Sequence, residues 1–146
     1  MKKVVVKVLS LMLAFMMVFG AVGMTASAAN KDKAAKKLCK EINKGGNKCK
    51  GITGNLKVTY KKEGSKYNFT IKLDMPLDAW MFDMSAKMQP KEIGQARDSV
   101  KKVSKTFKKK AKKVGIKKSS CTYIVYANGT RIWEFKDGKV VYDRYQ

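Results

Sequence analysis

Two dipeptides near the end of the chain, Asn128-Gly129 and Asp137-Gly138, constrain its fold more than any other feature. Two-residue hairpin turns of type I′ need positive φ at both central positions, and Asn, Asp and Gly reach that region at least cost. Each dipeptide is flanked by alternating apolar and polar residues, so the C-terminal part is predicted to be a three-stranded antiparallel meander. Counting across the turns sets Ile124 beside Trp133 and Thr122 beside Phe135, then Phe135 beside Val140 and Trp133 beside Tyr142. On that register one face carries Ile124, Tyr126, Trp133, Phe135, Val140 and Tyr142. The wetter face carries Cys121, Tyr123, Val125, Ile132, Glu134, Val141 and Asp143.

Upstream of the meander, Ile93, Ala96, Val100, Val103, Phe107, Ala111 and Val114 recur at steps of three and four, the spacing of one helix face. Pro90 just inside the start and Gly115 just past the end predict a long helix over residues 90–114. Further upstream, Leu56, Val58 and Tyr60 alternate with polar residues, as do Tyr67, Phe69, Ile71, Leu73 and Met75, with Glu63-Gly64-Ser65 between them. That is a hairpin. Before it, Asn30 caps a short helix carrying Ala35, Leu38 and Ile42 on one stripe, expected to stop near Lys44 at Gly45-Gly46. Residues 74–88 hold Pro76 and a Leu77, Ala79, Trp80, Met81, Phe82 cluster without a clean period, and read as a partly buried crossover. The expected fold is α+β: a short N-terminal helix, a β-hairpin, and a long amphipathic helix packed on an antiparallel sheet that the C-terminal meander completes.

The chain has 146 residues. Residues 1–28 read as an export signal: a basic head with Lys2, Lys3 and Lys7, an uncharged apolar run over residues 8–24, and Ala26-Ser27-Ala28 where a signal peptidase cuts. The alternative is an uncleaved membrane anchor, since the uncharged stretch is long enough to span a bilayer. Cleavage after Ala28 leaves residues 29–146 as a single small domain. No Cys lies near the cut to take a lipid. The sequons at Asn68 and Asn128 are most simply a strand and a tight turn.

This order of export signal, short helix, hairpin, long amphipathic helix and the closing segment from Tyr123 to Phe135 resembles small extracytoplasmic proteins and lipoproteins of unknown function from Gram-positive bacteria. The resemblance covers most of the mature chain. It implies a location and a fold and brings no catalytic residues. The lipid-attachment Cys that many of those proteins carry is missing here.

Chemistry is narrowed by what the chain lacks. It contains no histidine, which excludes imidazole acid/base catalysis, Ser-His-Asp and Cys-His nucleophile pairs, and any metal site that needs a His ligand. Phosphate-binding glycine loops, dinucleotide fingerprints and nucleophile elbows are absent as well. No cofactor is expected. Charge is the positive signal: 33 Lys plus Arg stand against 11 Asp plus Glu, a net +22, or +19 once Lys2, Lys3 and Lys7 leave with the signal. Between Asp98 and Glu134 there are eleven basic residues and no acidic one. Lys101, Lys105, Lys108 and Lys112 form one stripe on the long helix, and Lys102, Lys109 and Lys113 form the next. Like charges four apart on an isolated helix each cost about 0.2–0.5 kcal/mol, a repulsion that a polyanion along this face relieves. The plainer reading is a solvated helix face whose C-terminal lysines suit the macrodipole.

Only Arg97, Arg131 and Arg144 are arginines, so the surface suits nonspecific, salt-sensitive contacts and not sequence-specific reading of nucleic acid. The expected function is a secreted, non-enzymatic domain that associates with anionic envelope polymers such as teichoic acid, or with anionic lipid headgroups. Lys101, Lys105, Lys108, Lys109, Lys112 and Lys113 are the candidate binding residues. The alternatives are a cationic effector acting on anionic membranes and a small hydrolase using Asp74, Asp78 and Asp83. Three cysteines in an oxidising compartment leave the redox state open: a Cys39–Cys49 bridge across the Gly45-Gly46 turn, all thiols reduced, or Cys121 bridged instead. Cys121, placed on the wetter face near lysines, is a weak nucleophile candidate with no base beside it.

Overall fold

The computed structural model describes residues 30–48 and 55–146 of the chain. The expected export signal and Cys49 lie outside these residues. Eight elements follow in order: helix α1 (Lys31–Lys48), strands β1 (Asn55–Glu63) and β2 (Lys66–Met75), helices α2 (Ala79–Met88) and α3 (Pro90–Lys113), and strands β3 (Ser119–Ala127), β4 (Thr130–Lys136) and β5 (Lys139–Asp143). The fold is α+β, with a five-stranded sheet in the order β1-β2-β3-β4-β5.

The meander and the hairpin form where the turn residues place them. Asn128 and Gly129 sit at φ 44° and 81°, and Asp137 and Gly138 at 52° and 80°, the left-handed values a type I′ turn requires. In the first hairpin Leu56 pairs with Leu73, Val58 with Ile71 and Tyr60 with Phe69. The sheet is mixed, and not antiparallel throughout: β3 runs parallel to β2, with Phe69 opposite Cys121 and Ile71 opposite Tyr123. Parallel neighbours need a crossover connection. Residues 76–118, with both α2 and α3, supply it.

The long helix follows its periodicity. Ile93, Ala96, Val100, Val103, Ser104, Phe107 and Ala111 are buried, and Gly115 takes φ 91° just past the end. Phe107, fully buried, packs on Phe69 of the sheet with ring centroids 4.9 Å apart. Burying an apolar side chain of this kind contributes roughly 1.5–3 kcal/mol. The register rows Val58, Ile71, Tyr123 and Phe135 are all buried, so one face of the sheet forms the core beneath the helices.

Three local expectations change. First, the faces of β3 are inverted relative to the counted register, because Ile132 is an extra residue between the pairs Tyr126–Arg131 and Val125–Trp133. A one-residue slip sends every side chain of a strand to the other face. Cys121, Tyr123, Val125 and Ala127 therefore fill the core, with Trp133 and Phe135, while Ile124 and Tyr126 turn outward. A second irregularity leaves Val141 unpaired, so Trp133 faces Asp143 and not Tyr142, although Phe135 does face Val140. Second, residues 79–88 are helical. Third, α1 continues through Gly45-Gly46 to Lys48. Its expected cap holds: the Asn30 side chain accepts from the Lys33 N–H at 3.2 Å.

Helix α1 is fastened to the edge of the sheet by Asn43, whose side-chain amide donates to the Val58 carbonyl at 3.0 Å and accepts from the Val58 N–H at 2.7 Å. The amide thus takes the place a neighbouring strand would hold. At the other end of α1, Asp32 accepts a hydrogen bond from the buried Tyr67 hydroxyl, with Lys62 at 3.5 Å. The C-terminal residues are tied to α2 by Arg144, whose guanidinium donates to both oxygens of Asp83 at 2.8 and 3.1 Å.

Candidate functional site

Because the apolar stripe of α3 is turned into the sheet, its lysines line the opposite side. Lys105, Lys108, Lys109, Lys112 and Lys113 are exposed and Lys101 is half-buried, so one helix surface carries all six candidate residues. The Asp137-Gly138 turn packs against this helix. Ser104, fully buried, donates to the Lys101 carbonyl at 2.7 Å and accepts from the Gly138 N–H at 3.0 Å. The Lys105 stem lies so close to Gly138 that a Cβ there would meet the Lys105 Cβ at 2.9 Å. Asp137 bridges helix and sheet: one oxygen accepts from the Cys121 N–H at 2.8 Å and the other pairs with the Lys108 ammonium at 3.3 Å.

Among the described residues, Lys108 is the one member of the six in an ion pair. Partial burial, and after it the charge of Lys113, hold the Lys110 ammonium pKa below the usual lysine value. A second basic row runs along α1, where Lys36, Lys40 and Lys44 follow a step of four and line a groove of about 880 Å³ floored by Val58 and Tyr60. The four-residue spacing was present in the sequence, but it stood in a short helix whose orientation is fixed by contacts distant in sequence, Asn43 with Val58 and Asp32 with Tyr67.

The other candidate chemistry falls differently. Cys121 lies in the core with no exposure, and burial, followed by Asp137, pushes its thiol pKa up, opposite to the lowering that nearby lysines suggested. Cys39 is a buried free thiol with a pKa pushed up by burial to about 11. Asp74 and Asp78 hold the two residues of one turn: Asp74 accepts from the Gly129 N–H at 3.1 Å and Asp78 from the Asn128 side-chain amide at 2.8 Å. Asp83 is committed to Arg144, which lowers its pKa. Each carboxylate thus has a structural partner. Among the described residues no group of three or more Cys, Asp or Glu could hold a metal ion, and no helix is long and apolar enough to cross a membrane.

Two features were not anticipated. Trp80, Met84 and Met88 form an exposed apolar stripe along α2, at 56%, 36% and 56% exposure. A cavity of about 240 Å³ lies where α3, β4 and the C-terminal residues meet. The chain matches no protein-family model, no curated protein and no solved structure.

Proposed function

We propose that this is a secreted, non-enzymatic domain, wall-associated in a Gram-positive bacterium, that binds anionic envelope polymers through the lysine face of α3. The observation that carries the reading is the exposed lysine row of α3, in which Lys108 alone of the six candidates has an ion-pair partner among the described residues. A polyanion laid along the row neutralises charges that otherwise repel one another. Lysine-dominated contacts of this kind weaken steeply with salt and read no sequence. The net charge of +19 left after removal of the export signal, which takes Lys2, Lys3 and Lys7 from the +22 of the whole chain, draws such a polymer in from a distance.

The test is cosedimentation of the purified protein with cell walls, before and after removal of teichoic acid, at low and at physiological salt. Retention at physiological salt that disappears with the teichoic acid is expected. The triple variant Lys105→Glu, Lys109→Glu, Lys113→Glu should lose retention while its circular dichroism and melting temperature stay near the wild-type values. Release from both wall preparations at physiological salt would refute the reading. A membrane-active effector is the second reading, favoured by the exposed Trp80, Met84 and Met88 stripe, and it requires dye leakage from anionic but not neutral vesicles.

A further inference from the structure

The sheet has two edges, β1 and β5, and they differ. Strand β5 is short, five residues with Val141 left out of the pairing, which blunts it against further strands. Strand β1 runs nine residues in unbroken register with β2, so its outer edge presents a regular row of backbone groups. Val58 shows which residues turn outward, because its N–H and its carbonyl both bond to the Asn43 side chain. In an antiparallel pair that orientation recurs at every second residue. Tyr60 and Lys62 therefore point their N–H and carbonyl groups the same way, and among the described residues Asn43 alone bonds to this edge.

The groove of about 880 Å³ lies along this edge, with Thr59 and Tyr60 on one side and the Lys36, Lys40 and Lys44 flank of α1 on the other. Two ties set helix and strand side by side: Asp32 with Lys62 and Tyr67 at one end, Asn43 with Val58 at the other. Between the ties α1 advances ~16 Å at ~1.5 Å per residue and β1 ~13 Å at ~3.3 Å per residue, so the two run nearly in line. Four residues of helix cover ~6 Å and two residues of a strand ~6.6 Å. A strand laid in the groove thus brings every second side chain level with successive lysines of the row.

We infer that the outer edge of β1 takes up an extended acidic segment of a partner protein as an added strand, paired to Tyr60 and Lys62, with carboxylates at alternate positions meeting Lys36 and Lys40. Main-chain bonds to an open edge supply affinity, and side chains at every second residue supply selectivity. Charge decides the occupant. Lys36, Lys40 and Lys44 are exposed, and so are Lys57 and Lys61 on β1 itself. Asp32 and Glu63, the acidic residues at the Lys62 end, are already paired with Lys62 and Lys61. A second copy of this chain would bring the same lysines against its own, so like charge turns it away while an acidic strand is drawn in. Asn43 closes the edge at Val58 and sets where the added strand ends.

The probe is a fluorophore-labelled, C-terminally amidated peptide Glu-Val-Glu-Val-Glu, its anisotropy read against the purified protein at physiological salt. Binding should saturate. The peptide N-methylated at every backbone amide, and the peptide with Gln in place of Glu, should each bind at least tenfold more weakly. With peptide saturating, hydrogen exchange read by NMR should slow at least tenfold at the Tyr60 and Lys62 amides and less than twofold at Val58, which Asn43 already holds. Lys36→Glu with Lys40→Glu should weaken binding at least tenfold at an unchanged melting temperature. The triple lysine variant of α3 should bind within threefold of wild type, which separates this site from polymer binding. The inference is overturned by an absence of saturable binding, by equal binding of the N-methylated peptide, or by unchanged exchange at Tyr60 and Lys62. It is overturned as well if the α3 variant loses as much as the α1 variant, or if sedimentation velocity finds a dimer that protects those amides without peptide.

Discussion

Replacing Asn43 with alanine tests how α1 is joined to the sheet. The change removes two hydrogen bonds, at 2.7 and 3.0 Å, that pair the outer edge of β1 at Val58. Each neutral hydrogen bond contributes about 0.5–1.5 kcal/mol net. Alanine is the better helix former by up to ~0.7 kcal/mol, which offsets part of the loss. The expected net cost is therefore ~1–2 kcal/mol. At roughly 4 °C per kcal/mol for a domain of this size, the melting temperature should fall by ~4–8 °C. Circular dichroism measures that fall, and amide hydrogen exchange locates it, because the Val58 N–H should lose protection while Ile71, on the inner side of the same pair, keeps it. Asn43→Asp retains an acceptor for the Val58 N–H but turns a carboxylate oxygen toward the Val58 carbonyl, so it should rescue little. A melting temperature within about 1 °C of wild type, with Val58 still protected, would show that the amide clamp contributes nothing and that the apolar stripe of α1 and the Asp32–Tyr67 hydrogen bond hold the helix.

Three further outcomes follow from the same geometry. Phe107→Ala empties a fully buried site against Phe69 and should cost ~3–5 kcal/mol, read as a lower urea midpoint at unchanged slope. Asp83 and Asp32 have pKa values lowered in the fold, by the Arg144 hydrogen bonds and by the Tyr67 hydroxyl respectively. Their stabilisation is present above the ordinary carboxylate range and is lost as pH falls through their folded pKa values, so Asp83→Asn should flatten the acid limb of a stability profile below about pH 4. Cys39 and Cys121, both buried with thiol pKa values raised, should resist alkylation at pH 8 in the native protein and react once urea unfolds it, as mass spectrometry of the modified peptides would report.

Much of the fold could be read from residue order because local rules and tertiary packing agree there. The stripe Ile93, Ala96, Val100, Val103, Phe107, Ala111 is both the periodic pattern and the buried face of α3, and the two turn dipeptides adopt the φ values their chemistry favours. Where the two disagree, the reading failed. In α2 the large apolar residues Trp80, Met84 and Met88 face outward while Ser85 is buried, so hydrophobicity does not track burial and no period emerges. In β3 the turn was right and the faces were wrong, since the bulge at Ile132 leaves no trace in an alternating pattern that stays apolar on both sides. The lysines of α3 were visible from spacing alone. The cavity beside Trp133 was not, because its walls come from α3, β4 and the C-terminal residues, and only the fold brings them together.

The parallel contact between β2 and β3 also sets the order in which this protein can assemble. The β1–β2 hairpin and the β3–β5 meander each close over short turns, so both can form early and independently. Joining them requires the whole segment from Pro76 to Lys118 to be in place, and the loop-closure entropy of that segment must be met before any β2–β3 hydrogen bond rewards it. Docking of Phe107 on Phe69 is one contact that joins the two halves. Until then the inner edges of β2 and β3 are open to any other strand, and the same lysines that crowd α3 keep two such half-formed chains apart.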